Sequence, residues 1–163
     1  MRNEKLRKKI TTSSEIMSFI SNTIDGDSSF ISPLMTIMHR LIINEEFVNS
    51  LYENELITPL VNMAKKLKDQ DQERCALLIF SVFCKIEYED DPPNFTSICN
   101  YVISVLEKQN SNMNQAAFIL LKYAHFNQCK ILFKRKKVLD MFAEINGDKA
   151  FRTIRKKLIN EMK

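Results

Sequence analysis

The chain has very few of the residues that make tight turns. Its 163 residues include two glycines and four prolines. Sheets need turns between strands, and those turns depend strongly on glycine and proline. The shortage therefore disfavours a sheet-rich fold, and we predict an all-α protein. Two glycines are also too few for a glycine-rich phosphate-binding loop.

Residues for catalysis and metal binding are equally scarce. His39 and His125 are the only histidines. His125 and Cys129 are four positions apart and could share a helical face, but zinc needs three or four ligands and no second pair accompanies them. The four cysteines, at positions 75, 84, 99 and 129, fit no metal or redox spacing and are interpreted as reduced, packed thiols. The sequence therefore predicts a protein that is not an enzyme and that binds no metal, cofactor or small-molecule substrate.

No apolar run reaches the ~18 residues of a membrane span. The N-terminal stretch 1–10 is charged and is not followed by the hydrophobic core of a secretory signal. Apolar residues make up 45% of the chain and charged residues 27%, as in ordinary globular proteins. These features predict an intracellular protein, cytoplasmic or nuclear, that does not contact membranes.

What the chain does have is an internal repeat. Three segments align at offsets of 42 and then 41 residues, and the aligned positions step along one helical face. A period near 42 is the length of a two- or three-helix solenoid repeat. The aligned columns, all apolar, are Leu34, Ala76 and Ala117; Met35, Leu77 and Phe118; Met38, Phe80 and Leu121; and Leu41, Phe83 and Ala124.

Three segments within this repeat resemble armadillo repeats. Residues 54–63, with Thr58-Pro59-Leu60-Val61, resemble the run into the second armadillo helix, and residues 72–83 and 114–124 resemble the third. The resemblance implies a short right-handed α-solenoid of about three repeats, at about 28–69, 70–110 and 111–146. HEAT-type repeats are the alternative, because no short first helix is evident after Pro93. A basic arm over 1–10 would precede one helical domain over 11–163, with capping helices at its N- and C-terminal ends, the latter at 148–163. Asn146-Gly147 links the preceding helix, which runs to Ile145, to this capping helix, and is interpreted as the C-cap of the preceding helix.

Solenoids of this kind act by presenting a surface, so the resemblance implies a non-enzymatic scaffold or adaptor, a subunit of a larger complex that binds a protein partner. The ligand-binding asparagine that recurs in peptide-binding armadillo proteins is replaced by Arg40, Val82 and Tyr123, so an extended peptide held as in importins is not expected. The predicted partner-binding residues on the groove helices are His39, Arg40, Ser81, Lys85, Lys122 and Tyr123.

Charge is unevenly distributed along the chain. Residues 130–163 carry eleven lysines and arginines against four carboxylates, and residues 1–10 carry five against one. Basic ends suit an acidic protein or RNA, so the alternative function is an RNA-binding or ribosome-associated factor. The predicted basic patch consists of Lys130, Lys134, Arg135, Lys136, Lys137, Arg152, Arg155 and Lys156.

Overall fold

The computed structural model describes residues 13–25, 30–85 and 95–163, and all regular structure in these ranges is helical. The all-α prediction is therefore confirmed for the described part of the chain. The predicted basic arm over 1–10 lies outside it. The chain divides into two compact units, Met1–Glu87 and Tyr88–Lys163.

The first unit contains five described helices. They are α1 (Ser14–Asp25), α2 (Ile31–Leu41), α3 (Glu45–Glu53), α4 (Ile57–Ala64) and α5 (Gln70–Phe83). Helix α2 packs along α5, and α1 packs against α2 and α4. The core comes from apolar side chains at helical spacing, such as Leu34, Met35 and Met38 on α2 and Ala76, Leu77 and Phe80 on α5, all buried.

The second unit has five helices over residues 95–163, the part of it that the structure describes. They are α6 (Phe95–Glu107), α7 (Met113–Tyr123), α8 (Asn127–Arg135), α9 (Val138–Glu144) and α10 (Lys149–Glu161). Helix α7 packs between α6 and α10, α8 packs against α6 and α9, and α9 packs against α10. Phe95, Tyr123 and Phe126 form an aromatic cluster, with ring centroids 4.7 Å apart for Phe95–Phe126 and 4.8 Å for Phe95–Tyr123.

The two units repeat the same order of helices. Adding 82 to the bounds of α2 and α3, 31–41 and 45–53, gives 113–123 and 127–135, the bounds of α7 and α8. Burial follows the same offset, since the nine paired positions below are buried in both units. These pairs are Leu34 and Ala116, Met35 and Ala117, Met38 and Leu120, Ile42 and Ala124, Phe47 and Cys129, Leu51 and Phe133, Leu56 and Val138, Leu60 and Phe142, and Met63 and Ile145.

This register shifts the third member of every predicted column by one residue, and Phe118 shows the consequence. The sequence alignment, with offsets of 42 and 41, placed Phe118 beside Met35 and Leu77 in the core. Phe118 is instead 47% exposed, because Ala117 takes the buried position that corresponds to Met35. A shift of one residue turns a helical position by 100°, which is enough to move a side chain from the core to the surface.

Short polar side chains accept hydrogen bonds from the free backbone amides at the N-termini of three helices. The side chain of Asn44 accepts a hydrogen bond from the amide of Glu46 at 2.9 Å, and Asp69 accepts from the amides of Asp71 and Gln72. Asp148 accepts from the amide of Phe151 at 2.8 Å and caps α10. These bonds occupy amides that have no partner inside the helix.

Gly147 does not act as the predicted helix C-cap. Helix α9 ends at Glu144 with Ile145 as its C-cap residue, and Gly147 has no positive φ. Its role is steric, since a Cβ atom there would lie 2.5 Å from three side-chain atoms of Phe151. Glycine therefore allows the backbone to approach the ring that anchors α10.

None of the described helices combines the length and the apolar character that a membrane crossing requires.

Candidate partner-binding cleft

An open cleft of about 870 Å³ lies in the first unit, between the end of α2, the start of α3 and the second half of α5. It exists because α2 and α5 pack side by side while the chain turns away from α2 into α3. The residues that line it are His39, Arg40, Ile42, Ile43, Glu45, Val48, Leu78, Ser81, Val82 and Lys85.

The floor of the cleft is apolar. Ile42 and Val48 are buried, and Leu78 and Val82 are half-buried. Ile43 stands at the edge with 87% of its surface exposed. A side chain of that size gains about 1.5–3 kcal/mol when it is fully buried. An apolar group that enters the cleft can cover Ile43, so the cleft can supply hydrophobic binding energy.

The polar lining of the cleft has more cations than carboxylates. Arg40 and Lys85 are exposed cations, and Glu45 is the one carboxylate among the lining residues, which also include the half-buried His39. The hydroxyl of Ser81 donates to the carbonyl oxygen of Leu78 at 2.7 Å, which leaves its oxygen able to accept. The arrangement suits an apolar segment that carries carboxylates.

The structure brings four of the six predicted groove residues together. His39, Arg40, Ser81 and Lys85 all line this cleft. Lys122 lies on α7 in the second unit, where its ammonium group is 5.0 Å from the centre of the Phe118 ring. Tyr123 is fully buried in the aromatic cluster, so it cannot contact a partner on the surface and its prediction as a groove residue is corrected.

The misplacement of Tyr123 has the same origin as that of Phe118. The predicted alignment placed Tyr123 with Arg40 and Val82. With the offset of 82 seen in the helix bounds, the residue that corresponds to Arg40 is Lys122, and Tyr123 corresponds to Leu41. Sequence reasoning also missed Ile43, whose position just after α2 gives no periodic signal.

The predicted basic patch belongs to the second unit. The run Lys134–Lys137 is exposed at the end of α8, and Lys137 adopts a left-handed conformation (φ 52°) that turns the chain into α9. Arg152 and Lys156 on α10 are exposed and Lys130 is half-exposed. Arg155 is partly buried and donates to the carbonyl oxygen of Phe142 at 3.3 Å, so one of its donors is used inside the unit.

The described residues show no grouping of three histidine, cysteine or acidic side chains that could hold a metal ion. The His125 ring lies against Phe126, with 3.8 Å between ring centroids, and Cys129 points toward Cys99. His125 and Cys129 therefore contact different neighbours.

Comparison with protein-family models, with curated proteins and with solved structures finds no match for this chain.

Proposed function

We propose that this protein is a non-enzymatic scaffold or adaptor, a subunit of a larger complex, that binds a protein partner through the cleft of its first unit. The observation that carries the proposal is the cleft itself, whose apolar floor and exposed Ile43 stand beside Arg40 and Lys85. Such a combination gives hydrophobic contact area together with charges that orient a partner.

The repeated helix order supports the proposed architecture. We propose that the helices form a short right-handed solenoid of about three armadillo-like repeats, in which α2, α5 and α7 are the third helices and α10 is the C-terminal capping helix. Two pairs of these helices pack side by side, α2 with α5 and α7 with α10. In repeat proteins each repeat contacts its neighbours and the repeats together present an extended surface.

The partner chemistry that fits the cleft is a segment with apolar side chains and carboxylates. The apolar side chains would cover Ile43 and the floor, and the carboxylates would pair with Arg40 and Lys85. Arginine can hold a carboxylate with two parallel hydrogen bonds. A basic segment would place like charges together, and a purely polar one would leave Ile43 exposed.

The test uses the tagged full chain and two charge-matched variants. Arg40→Glu combined with Lys85→Glu reverses the sign of the charge in the cleft. Lys65→Glu combined with Lys68→Glu makes the same change in charge at exposed positions beyond α4. The partner is identified by cross-linking and mass spectrometry in nuclease-treated extract. We expect the first variant to recover at least tenfold less partner than the unaltered chain, and the second variant to recover the same amount. Equal retention by both variants would disprove binding through the cleft.

The second candidate function, RNA binding, is favoured by the charge of the second unit. Thirteen lysines and arginines stand against five carboxylates over residues 95–163, and Lys134–Lys137 are exposed. Phosphate contacts predict that the logarithm of affinity falls linearly with the logarithm of salt concentration. Neutralising Lys134–Lys137 to glutamine should weaken RNA binding and reduce this salt dependence. An RNA affinity unchanged by these substitutions would remove this candidate.

A further inference from the structure

Two thiols face each other inside the second unit. Cys99 lies on α6 and Cys129 lies in the first turn of α8, and the two sulfur atoms are 3.6 Å apart. Both residues are fully buried, and α6 packs directly against α8. They are 30 positions apart in the chain, so tertiary packing has brought them together.

The corresponding positions of the first unit show that packing here does not require cysteine. Subtracting 82 from 99 and from 129 gives Met17 and Phe47, both buried apolar residues. The first unit thus fills the equivalent positions with a thioether and an aromatic ring. The second unit has in both places the one side chain that can form a covalent bond to its neighbour.

We propose that Cys99 and Cys129 are a modification site, at which a small hydroperoxide converts the two thiols into an intramolecular disulfide. One sulfur, as its thiolate, attacks the peroxide oxygen; the O–O bond breaks, and a sulfenic acid and one water form when hydrogen peroxide is the oxidant. The second sulfur then attacks the sulfenic sulfur, the S–O bond breaks, and a second water leaves. In total, the thiols lose two electrons and two protons, and the peroxide is reduced to two waters.

The geometry requires a small movement to close the bond. A disulfide has about 2.05 Å between its sulfur atoms, so the sulfurs must approach by about 1.5 Å. Helix α8 is nine residues long and carries exposed residues such as Ile131 and Lys134 on its outer side. Short helices at a surface open locally without global unfolding. Such an opening admits hydrogen peroxide more readily than a bulky disulfide such as oxidised glutathione.

The other two cysteines form a natural comparison within the same chain. Cys75 lies on α5 and Cys84 directly follows it, so nine residues of helix, about 13 Å, separate them and they cannot pair. Burial, followed by the charge of Asp71, raises the pKa of the Cys75 thiol, which reduces its thiolate fraction. Both are half-buried and more accessible than Cys99 or Cys129.

The test is peptide mapping of the folded full chain after treatment with hydrogen peroxide. Remaining thiols are alkylated under denaturing conditions before digestion. We expect the Cys99–Cys129 disulfide as the main cross-link, at one per chain, with a rate that does not depend on protein concentration. Oxidised glutathione should produce it at least tenfold more slowly. A Cys75→Ser and Cys84→Ser double variant should form the same cross-link with the same rate.

Three results would overturn the proposal. The first is that Cys99 and Cys129 are recovered as alkylated thiols from chains in which Cys75 and Cys84 are oxidised. The second is that the disulfide forms only after denaturant is added, which would show that the native packing does not permit it. The third is that the main cross-link joins Cys99 or Cys129 to a different cysteine. None of these results depends on a substitution at the proposed site, because mapping of the unaltered chain and of the double variant decides the question.

Discussion

Replacing Gly147 with alanine sets two opposing effects against each other. Glycine to alanine at a compatible position usually stabilises a protein by about 0.4–1 kcal/mol, because the unfolded chain loses conformational freedom. Here, however, the added Cβ atom would lie 2.5 Å from the Cβ, Cγ and Cδ1 atoms of Phe151. Carbon atoms in contact prefer about 3.5–4.0 Å, so the ring or the backbone must move by about 1 Å.

Phe151 has little room for such a movement. It is fully buried and stacks on Phe142 with 5.1 Å between ring centroids. Overpacking of a filled core costs about 1–3 kcal/mol. The steric cost therefore exceeds the entropic gain, and we expect Gly147→Ala to lower the free energy of unfolding by about 1–2 kcal/mol.

Urea unfolding followed by circular dichroism measures this change. Asn146→Ala is the matched control, because Asn146 is the exposed neighbour of Gly147 and its substitution should change stability by less than about 0.5 kcal/mol. If Gly147→Ala is as stable as the unaltered protein, or more stable, the close packing of the backbone against Phe151 is refuted.

Other substitutions test the core, the caps and the surface. Phe47→Ala should cost about 3–5 kcal/mol in urea unfolding because Phe47 is fully buried, whereas Phe118→Ala, at a half-exposed ring, should cost about 1 kcal/mol or less; similar costs would contradict the register. Asn44→Ala should cost about 1 kcal/mol in the same assay through loss of the cap of α3, and no change would show that the cap contributes nothing. The amide of Phe151 lowers the pKa of Asp148 below its ordinary value of 3.8, so its stabilising effect is present at neutral pH and is lost as pH falls through the lowered pKa. Asp148→Asn should therefore reduce the loss of stability on acidification, measured as urea midpoints at neutral and acid pH, and identical pH profiles would contradict this assignment.

Helix content and much of the cleft could be predicted from residue order. Helical periodicity identifies which side chains share a face, and the alignment of α2 with α5 was in the correct register. That alignment places His39, Arg40, Ser81 and Lys85 on one predicted surface, and all four line the cleft. The alignment with α7 was shifted by one residue, because Ala116, Ala117 and Phe118 are all apolar and the pattern does not distinguish them.

The sequence by itself determined the helices, their approximate ends and the sign of the charge on each part of the chain. These properties depend on local spacing, capping and composition, all of which act over a few residues. Only the tertiary structure decided that Tyr123 is buried, that Gly147 makes room for Phe151, and that Cys99 meets Cys129 across 30 residues. Each of these depends on how closely two helices approach, and that distance is set by the volumes of all the side chains between them.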